Sequence, residues 1–155
     1  MKKIDLGQTL QLLGNAGVII GILLLVYELN QNRQIMQAQT RNAISETIVD
    51  RLLGEADNPD LAAINLKAEA GEIMTALEAR RYQLIWQATF RYWENVNYQY
   101  RNGLYDDSEY LAHREAWRQL ASDPHVRDLW CERRSRYADE FVAEMDELLG
   151  ENRCD

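Results

Sequence analysis

Proline, cysteine and histidine each occur only twice in the 155 residues, and glycine occurs eight times. So few prolines and glycines argue against a turn-rich β fold, because these residues supply most tight turns. No segment shows a sustained alternation of apolar and polar residues, so we do not expect strands. The sequence therefore predicts an all-α protein.

The same scarcity limits the chemistry that the chain can carry. Cys131 and Cys154 are too few for a disulfide framework and match no zinc-binding spacing. We expect Cys131 to be a small core residue and Cys154 to lie in a frayed tail, so neither indicates a redox compartment. His113 follows Glu109 by four residues, but a di-iron bundle needs Glu-x-x-His pairs on two helices, and the sequence has none. The serines fit helix caps and no glycine-rich phosphate loop occurs, so we expect no catalytic residue, no metal and no cofactor.

Acidic residues outnumber basic residues in the second part of the chain. Of the formal net charge of −8, residues 1–54 contribute +1 and residues 55–155 contribute −9. An acidic domain repels phosphate backbones, which argues against nucleic-acid binding. Solubility alone also explains such a charge.

One long stretch lacks charge altogether. The 22 residues from 6 to 27 carry no Asp, Glu, Lys or Arg. As a helix they would span about 33 Å, close to the thickness of a bilayer's hydrocarbon core. A cleaved signal peptide would need a small-x-small site after Val26, and "YELNQNRQIMQ" offers none. A buried soluble helix as apolar as residues 22–26 would need a larger core than the rest of the chain provides. We therefore predict a transmembrane anchor at 1–28, a helical stalk at 29–54 and an acidic helical domain at 55–155.

Glycines recur on one face of the predicted span, and two amide residues lie near its beginning. Gly17 and Gly21 form a G-x-x-x-G spacing and Gly14 lies near the same face, which permits close approach of membrane helices. Gln11 and Asn15 lie four residues apart and could bond across a helix interface. The pattern predicts a homo-oligomer in the lipid bilayer, although glycine is common in membrane helices.

The charges that flank the span do not decide its orientation. Lys2 and Lys3 precede it closely, whereas Arg33 and Arg41 follow at a greater distance. The nearer pair favours a cytoplasmic N-terminus and an external domain, but the difference is too small to assign the side.

Four further helices are predicted by their start signals. Asn58 caps a helix that begins at Pro59, Thr75 and Glu78 form a capping box, and Asp106 to Glu109 resemble a third start. Ser122 to Pro124 begin the last helix, which should continue to about Leu149. The expected core is an aromatic and aliphatic stripe on the second and fourth of these helices: Tyr82, Trp86, Phe90, Trp93, Tyr100, Val126, Trp130, Tyr137, Phe141, Met145 and Leu148.

The richest polar cluster lies near the middle of the acidic domain. Arg91, Glu94, Asn95, Tyr98 and Arg101 fall within about 120° on one helix face. This candidate polar face could form a pocket or a partner surface. It could equally be a hydrogen-bonded network that packs the helix against its neighbours.

Three segments in order, "GNAGVIIGILLLVYELNQN", "WENVNYQYRNGLYDD" and "DPHVRDLWCERRSRYADEF", resemble a widespread group of uncharacterised bacterial proteins. The resemblance covers most of the chain, although group members often have two adjacent tryptophans where this chain has Leu129 and Trp130. It implies one N-terminal transmembrane helix, a C-terminal helical domain and a bacterial inner membrane, and it implies nothing about catalysis.

Three functions remain open at this stage. The first is a non-enzymatic, membrane-anchored interaction module that self-associates through its membrane helix and has an unknown protein partner. The second is an oligomeric pore or transport accessory lined by Gln11 and Asn15. The third is a small-ligand sensor or enzyme that uses the face around Arg91, Glu94 and Tyr98.

Overall fold

A computed structural model describes the backbone of residues 6–154, with the side chains of Leu6, Gln8, Thr9 and Asn152 left aside. Lys2, Lys3 and Asp5, which bear on the predicted orientation, lie outside these residues. All regular structure in the described part is helical, which confirms the all-α prediction. The α-helices are α1 (Leu6–Ala56), α2 (Pro59–Glu69), α3 (Ala76–Arg101), α4 (Asp107–Ala121), α5 (Pro124–Arg133) and α6 (Asp139–Leu149).

The chain divides into two compact units, Met1–Gln39 and Thr40–Asp155. The first unit consists, in its described part, of α1 up to Gln39. The second contains the remainder of α1, from Thr40, and all later helices. The predicted stalk at 29–54 is therefore divided between the two units.

Local capping explains where the helices of the second unit begin. Asn58 accepts hydrogen bonds from the backbone N–H groups of Asp60 and Leu61, with Pro59 as the first helical residue. Thr75 and Glu78 form the full capping box that begins α3. These side chains satisfy N–H groups that have no partner within the helix, so the predicted starts are confirmed.

The glycines that follow α2 and α3 adopt a backbone conformation that other residues rarely reach. Gly71 has φ +66° after α2, and Gly103 has φ +69° after α3. Without a Cβ, glycine reaches this left-handed conformation at little steric cost. Both turns therefore depend on glycine.

Aromatic side chains form the main core of the second unit. Phe90 is fully buried between Trp93, Trp130 and Tyr137, with ring centroids 5.3–6.2 Å apart. Ile44, from the part of α1 in this unit, is also buried in this core. The predicted stripe is confirmed in most positions, although Leu149 is buried at the end of α6 and Leu148 only partly. A smaller core joins α2 to α3 through Ile64, Ala68 and Tyr82.

The predicted last helix is in fact two helices. α5 ends at Arg133, a short 3-10 turn covers Arg134–Arg136, and α6 begins at Asp139. Tyr137 has extended backbone (φ −111°, ψ 162°), and its ring is buried against Phe90, Trp130 and Phe141. The break costs the free energy of several helical hydrogen bonds. Burial of the Tyr137 ring and packing of α6 against α4 offset this cost. The expected bundle of about four helices after the anchor thus has five.

The prediction for the cysteines was also wrong in part. Cys131 does pack against the core, but Cys154 is not in a frayed tail, because it forms a disulfide with Cys131 at a Cα–Cα distance of 5.4 Å. The carbonyl oxygen of Cys154 also accepts a hydrogen bond from Arg134. The break after α5 lets α6 return the C-terminal segment to α5, which is how residues 23 apart in sequence meet.

Candidate functional site

The apolar part of α1 is exposed along its length. It is long and apolar enough to cross a membrane, and none of its most apolar 18-residue window is buried. Ile20, Leu23 and Leu24 are 57–63% exposed. A core helix of a soluble domain would bury such residues, so this helix lacks a protein cover in the described chain.

The five predicted interface residues lie on this exposed helix. The side chains of Gln11 and Asn15 are exposed. A Cβ added at Gly14, Gly17 or Gly21 would meet no atom within 4 Å. None of these glycines has a positive φ. Within the described chain, neither packing nor backbone conformation requires glycine at the three positions.

Two residues of the candidate polar face hold the connection between α5 and α6. Arg91 donates to the carbonyl oxygen of Arg136 at 2.8 Å, and its guanidinium lies 4.4 Å from the ring centre of Tyr137. Glu94 accepts from the backbone N–H of Ala138 at 2.8 Å and pairs with Arg91 at 2.5 Å. Both side chains are thus engaged in internal contacts.

The other three members of that face do not join this network. Asn95 accepts from Gln99 at 3.4 Å, and Tyr98 is 54% exposed. Arg101 donates to the side chain of Asn97 at 3.0 Å and lies 3.5 Å from Glu140. The face is therefore divided between two packing networks and an exposed tyrosine.

Sequence reasoning missed a buried polar pair on the adjacent face of α3. Asn97 is 1% exposed, and its amide donates to the hydroxyl of Tyr110 on α4 at 2.7 Å. Burial raises the pKa of Tyr110 to about 12. The hydroxyl therefore stays protonated at neutral pH, and the pair joins α3 to α4.

His113 lies half-buried among aromatic rings of the second unit. Its Nε2 is 3.0 Å from the hydroxyl of Tyr105, and the ring of Tyr92 contacts it edge-on. Burial lowers the pKa of His113, an effect that the charge of nearby Glu109 opposes. In the described part of the chain, no three His, Cys, Asp or Glu side chains come close enough to hold a metal.

A cleft of about 370 Å³ lies between α2, the loop after it, α3 and α5. We call it the acidic cleft. Its floor is apolar and continues into the smaller core, and it is formed by Ala68, Met74, Tyr82 and Leu129. This volume lies within the range of about 300–1,000 Å³ that is usual for small-ligand sites.

The rim of the acidic cleft carries three carboxylates, Glu72, Asp128 and Glu132, together with His125. Among the described residues that line it there is no Lys or Arg. A second groove of about 420 Å³, at the end of α1, has mixed charge because Arg51 lines it together with Glu55, Glu69 and Asp123. The acidic cleft thus combines an apolar floor with charge of one sign.

No known family model, no curated protein and no solved structure matches this chain.

Proposed function

We propose that this protein is a non-enzymatic interaction module, anchored in a bacterial inner membrane by a single pass of α1. The observation that carries the proposal is the apolar window of α1, of which none is buried in the chain itself. Apolar surface of this extent is stable only when lipid or another protein covers it. The absence of a small-x-small site after Val26 favours an anchor that is retained over a signal that is removed.

Self-association through the glycine face is the second part of the proposal. Each glycine in a helix costs about 1 kcal/mol relative to alanine, yet nothing in the described chain requires one at Gly14, Gly17 or Gly21. Close approach of a second copy would offset that cost through backbone packing. Gln11 and Asn15 lie to one side of the glycine face, about 90° and 130° from its centre, so they can hydrogen-bond to another copy only at the edge of the contact.

The disulfide supports an assignment of the membrane side. Disulfides persist in the bacterial periplasm and are rare in the reducing cytosol. The second unit contains the Cys131–Cys154 bond, so we place it in the periplasm. Because α1 crosses the membrane once in this proposal, the N-terminus is then cytoplasmic. The closeness of Lys2 and Lys3 to the span favours the same orientation.

The mass of the full-length protein in detergent, measured by light scattering, tests self-association. We expect a discrete oligomer, and we expect Gly17→Leu to reduce the mass to about half or less, because the added side chain separates the two backbones. Ala16→Leu is the matched control: it adds the same side chain about 140° from the centre of the glycine face and should leave the mass unchanged. A monomeric wild type, or an unchanged mass in the Gly17→Leu variant, would refute the glycine interface.

A further inference from the structure

We propose that the acidic cleft binds a small organic cation with an apolar body, such as a protonated aromatic or alkyl amine. The site is distinct from the glycine face of α1, and it would add a ligand-binding role to the proposed anchor. Its place in the fold suits such a role, because α2, α3 and α5 form its walls and the smaller core forms its base.

The floor of the cleft determines that the ligand has an apolar part. Tyr82 is 8% exposed and rests on Ile64 and Ala68, while Met74 and Leu129 are only partly covered. An apolar group that fills the space above them removes both surfaces from water, and each buried CH₂ contributes about 0.8 kcal/mol.

The rim determines the sign of the charge. Glu72, Asp128 and Glu132 place three negative charges around the opening. Asp128 is partly compensated by Arg127 at 3.2 Å, whereas no described Lys or Arg forms an ion pair with Glu72 or Glu132. A cation at the opening gains attraction from these carboxylates, and an anion is repelled.

The spacing of the rim groups selects an organic cation over a metal ion. Metal sites need several ligands that converge on one point. No described group of three acidic, His or Cys side chains meets that requirement. A cation attached to an apolar body suits this arrangement, since the body occupies the floor and the charge stays near the rim.

The proposal is tested by measuring how three matched probes bind to the full-length protein. The protein is held in nanodiscs made of lipids that carry no net charge. Phenethylamine is cationic at neutral pH, phenethyl alcohol is its neutral analogue and hydrocinnamate is an anion of similar shape. We expect calorimetry and ligand-observed NMR, with empty nanodiscs as the blank, to show that the amine binds at least about fivefold more tightly than the alcohol. The anion should bind most weakly, and added salt should reduce the preference for the amine.

Two kinds of substitution assign the binding to this cleft. Glu72→Gln combined with Glu132→Gln should remove the preference for the amine, whereas Glu46→Gln, at an exposed site on α1, should keep it. Ala79→Leu adds volume inside the cleft and should weaken all binding, whereas Ala112→Leu, at an exposed site on α4, should not. Absence of amine binding, equal affinity for amine and alcohol, or binding unaffected by the cleft substitutions would overturn the proposal.

Discussion

At the scale of single residues, burial decides which polar groups have a defined role. Asn97 is covered almost completely and uses its amide to join Tyr110 and Arg101, so its hydrogen bonds are protected from water. Glu94 is 19% exposed and holds a backbone N–H on another helix. Tyr98, on the same helix as both, is exposed and has no comparable side-chain contact among those described. The extent to which a polar side chain is buried therefore indicates its structural role better than its position on a helical face.

His113 should make stability depend on pH near neutrality. Burial lowers its pKa in the folded protein, so the unfolded chain takes up a proton first as pH falls. The stability is fully present above the ordinary histidine pKa of about 6.5 and is lost as pH decreases through that value toward the folded pKa. We expect thermal unfolding followed by tryptophan fluorescence to give a lower midpoint at about pH 5.5 than at about pH 7.5, and His113→Gln to reduce that difference.

The second histidine provides the control for this prediction. His125 is exposed, and His125→Gln should leave the pH dependence as in the wild type. Glu78 does not contribute to the pH dependence in this range. Its hydrogen bond with Lys67 holds its pKa at about 2, below an ordinary value of 4.5. Its contribution is therefore lost only at a pH below the range measured. An equal pH dependence in wild type and His113→Gln would contradict the assignment.

At the scale of elements, capping and long-range hydrogen bonds set different boundaries. The helices α2, α3, α4 and α5 each follow an N-cap residue whose side chain accepts from N–H groups of the first turn: Asn58, Thr75, Asp106 and Asp123. α6 begins after Ala138, which has no side-chain cap. Its N–H is bound by Glu94 from α3, 44 residues away in sequence. The start of α6 is therefore supported by tertiary structure.

Removal of the Glu94 carboxylate should loosen the connection between α5 and α6. Glu94→Ala leaves the N–H of Ala138 without its acceptor, which costs about 1–3 kcal/mol for a buried group and less where water can reach it. We expect faster trypsin cleavage after Arg134 and Arg136, identified by mass spectrometry, and a lower free energy of unfolding.

Glu140→Ala is the matched control, since Glu140 is 62% exposed and lies 3.5 Å from Arg101. An exposed ion pair contributes about 0–1 kcal/mol, so cleavage after Arg134 and Arg136 should stay at the wild-type rate. Equal cleavage in the Glu94→Ala variant and the wild type would show that the connection does not depend on this carboxylate.

At the scale of the whole molecule, the apolar residues of the two units are covered in different ways. In its described part, Met1–Gln39 consists of one helix whose apolar surface is exposed. Thr40–Asp155 has an aromatic core and a disulfide. The first unit depends on lipid for cover in the proposed function, whereas the second buries its own apolar residues.

The disulfide can be tested in denatured whole-cell samples, and the membrane side in the living cells. After free thiols are blocked under denaturing conditions, a maleimide polymer should shift the protein on a gel only if reductant is added first, because both cysteines are paired. In the Cys154→Ser variant the thiol of Cys131 should be blocked completely without reduction. The variant should also lose about 3 kcal/mol of its free energy of unfolding, the amount expected for a closed loop of this size.

Alkaline phosphatase fused after Asp155 reports the compartment, because that enzyme is active only where its own disulfides form. We expect activity in the fusion, whereas a fusion before Met1 should be inactive. Complete blocking of both thiols in unreduced wild type, together with an inactive C-terminal fusion, would reverse the proposed orientation.

The sequence by itself determined the helical class, most helix starts and the apolar window of α1, because each depends on residues that follow one another within a single segment of the chain. Only the tertiary structure decided the break at Tyr137, the Cys131–Cys154 bond and the use of Arg91 and Glu94 to hold the α5–α6 connection. It also produced the acidic cleft, whose walls come from three helices. These features join residues that are far apart in sequence, and a local spacing pattern cannot predict such contacts. The burial of Tyr137, which lets α6 return toward α5, depends on how the whole domain packs.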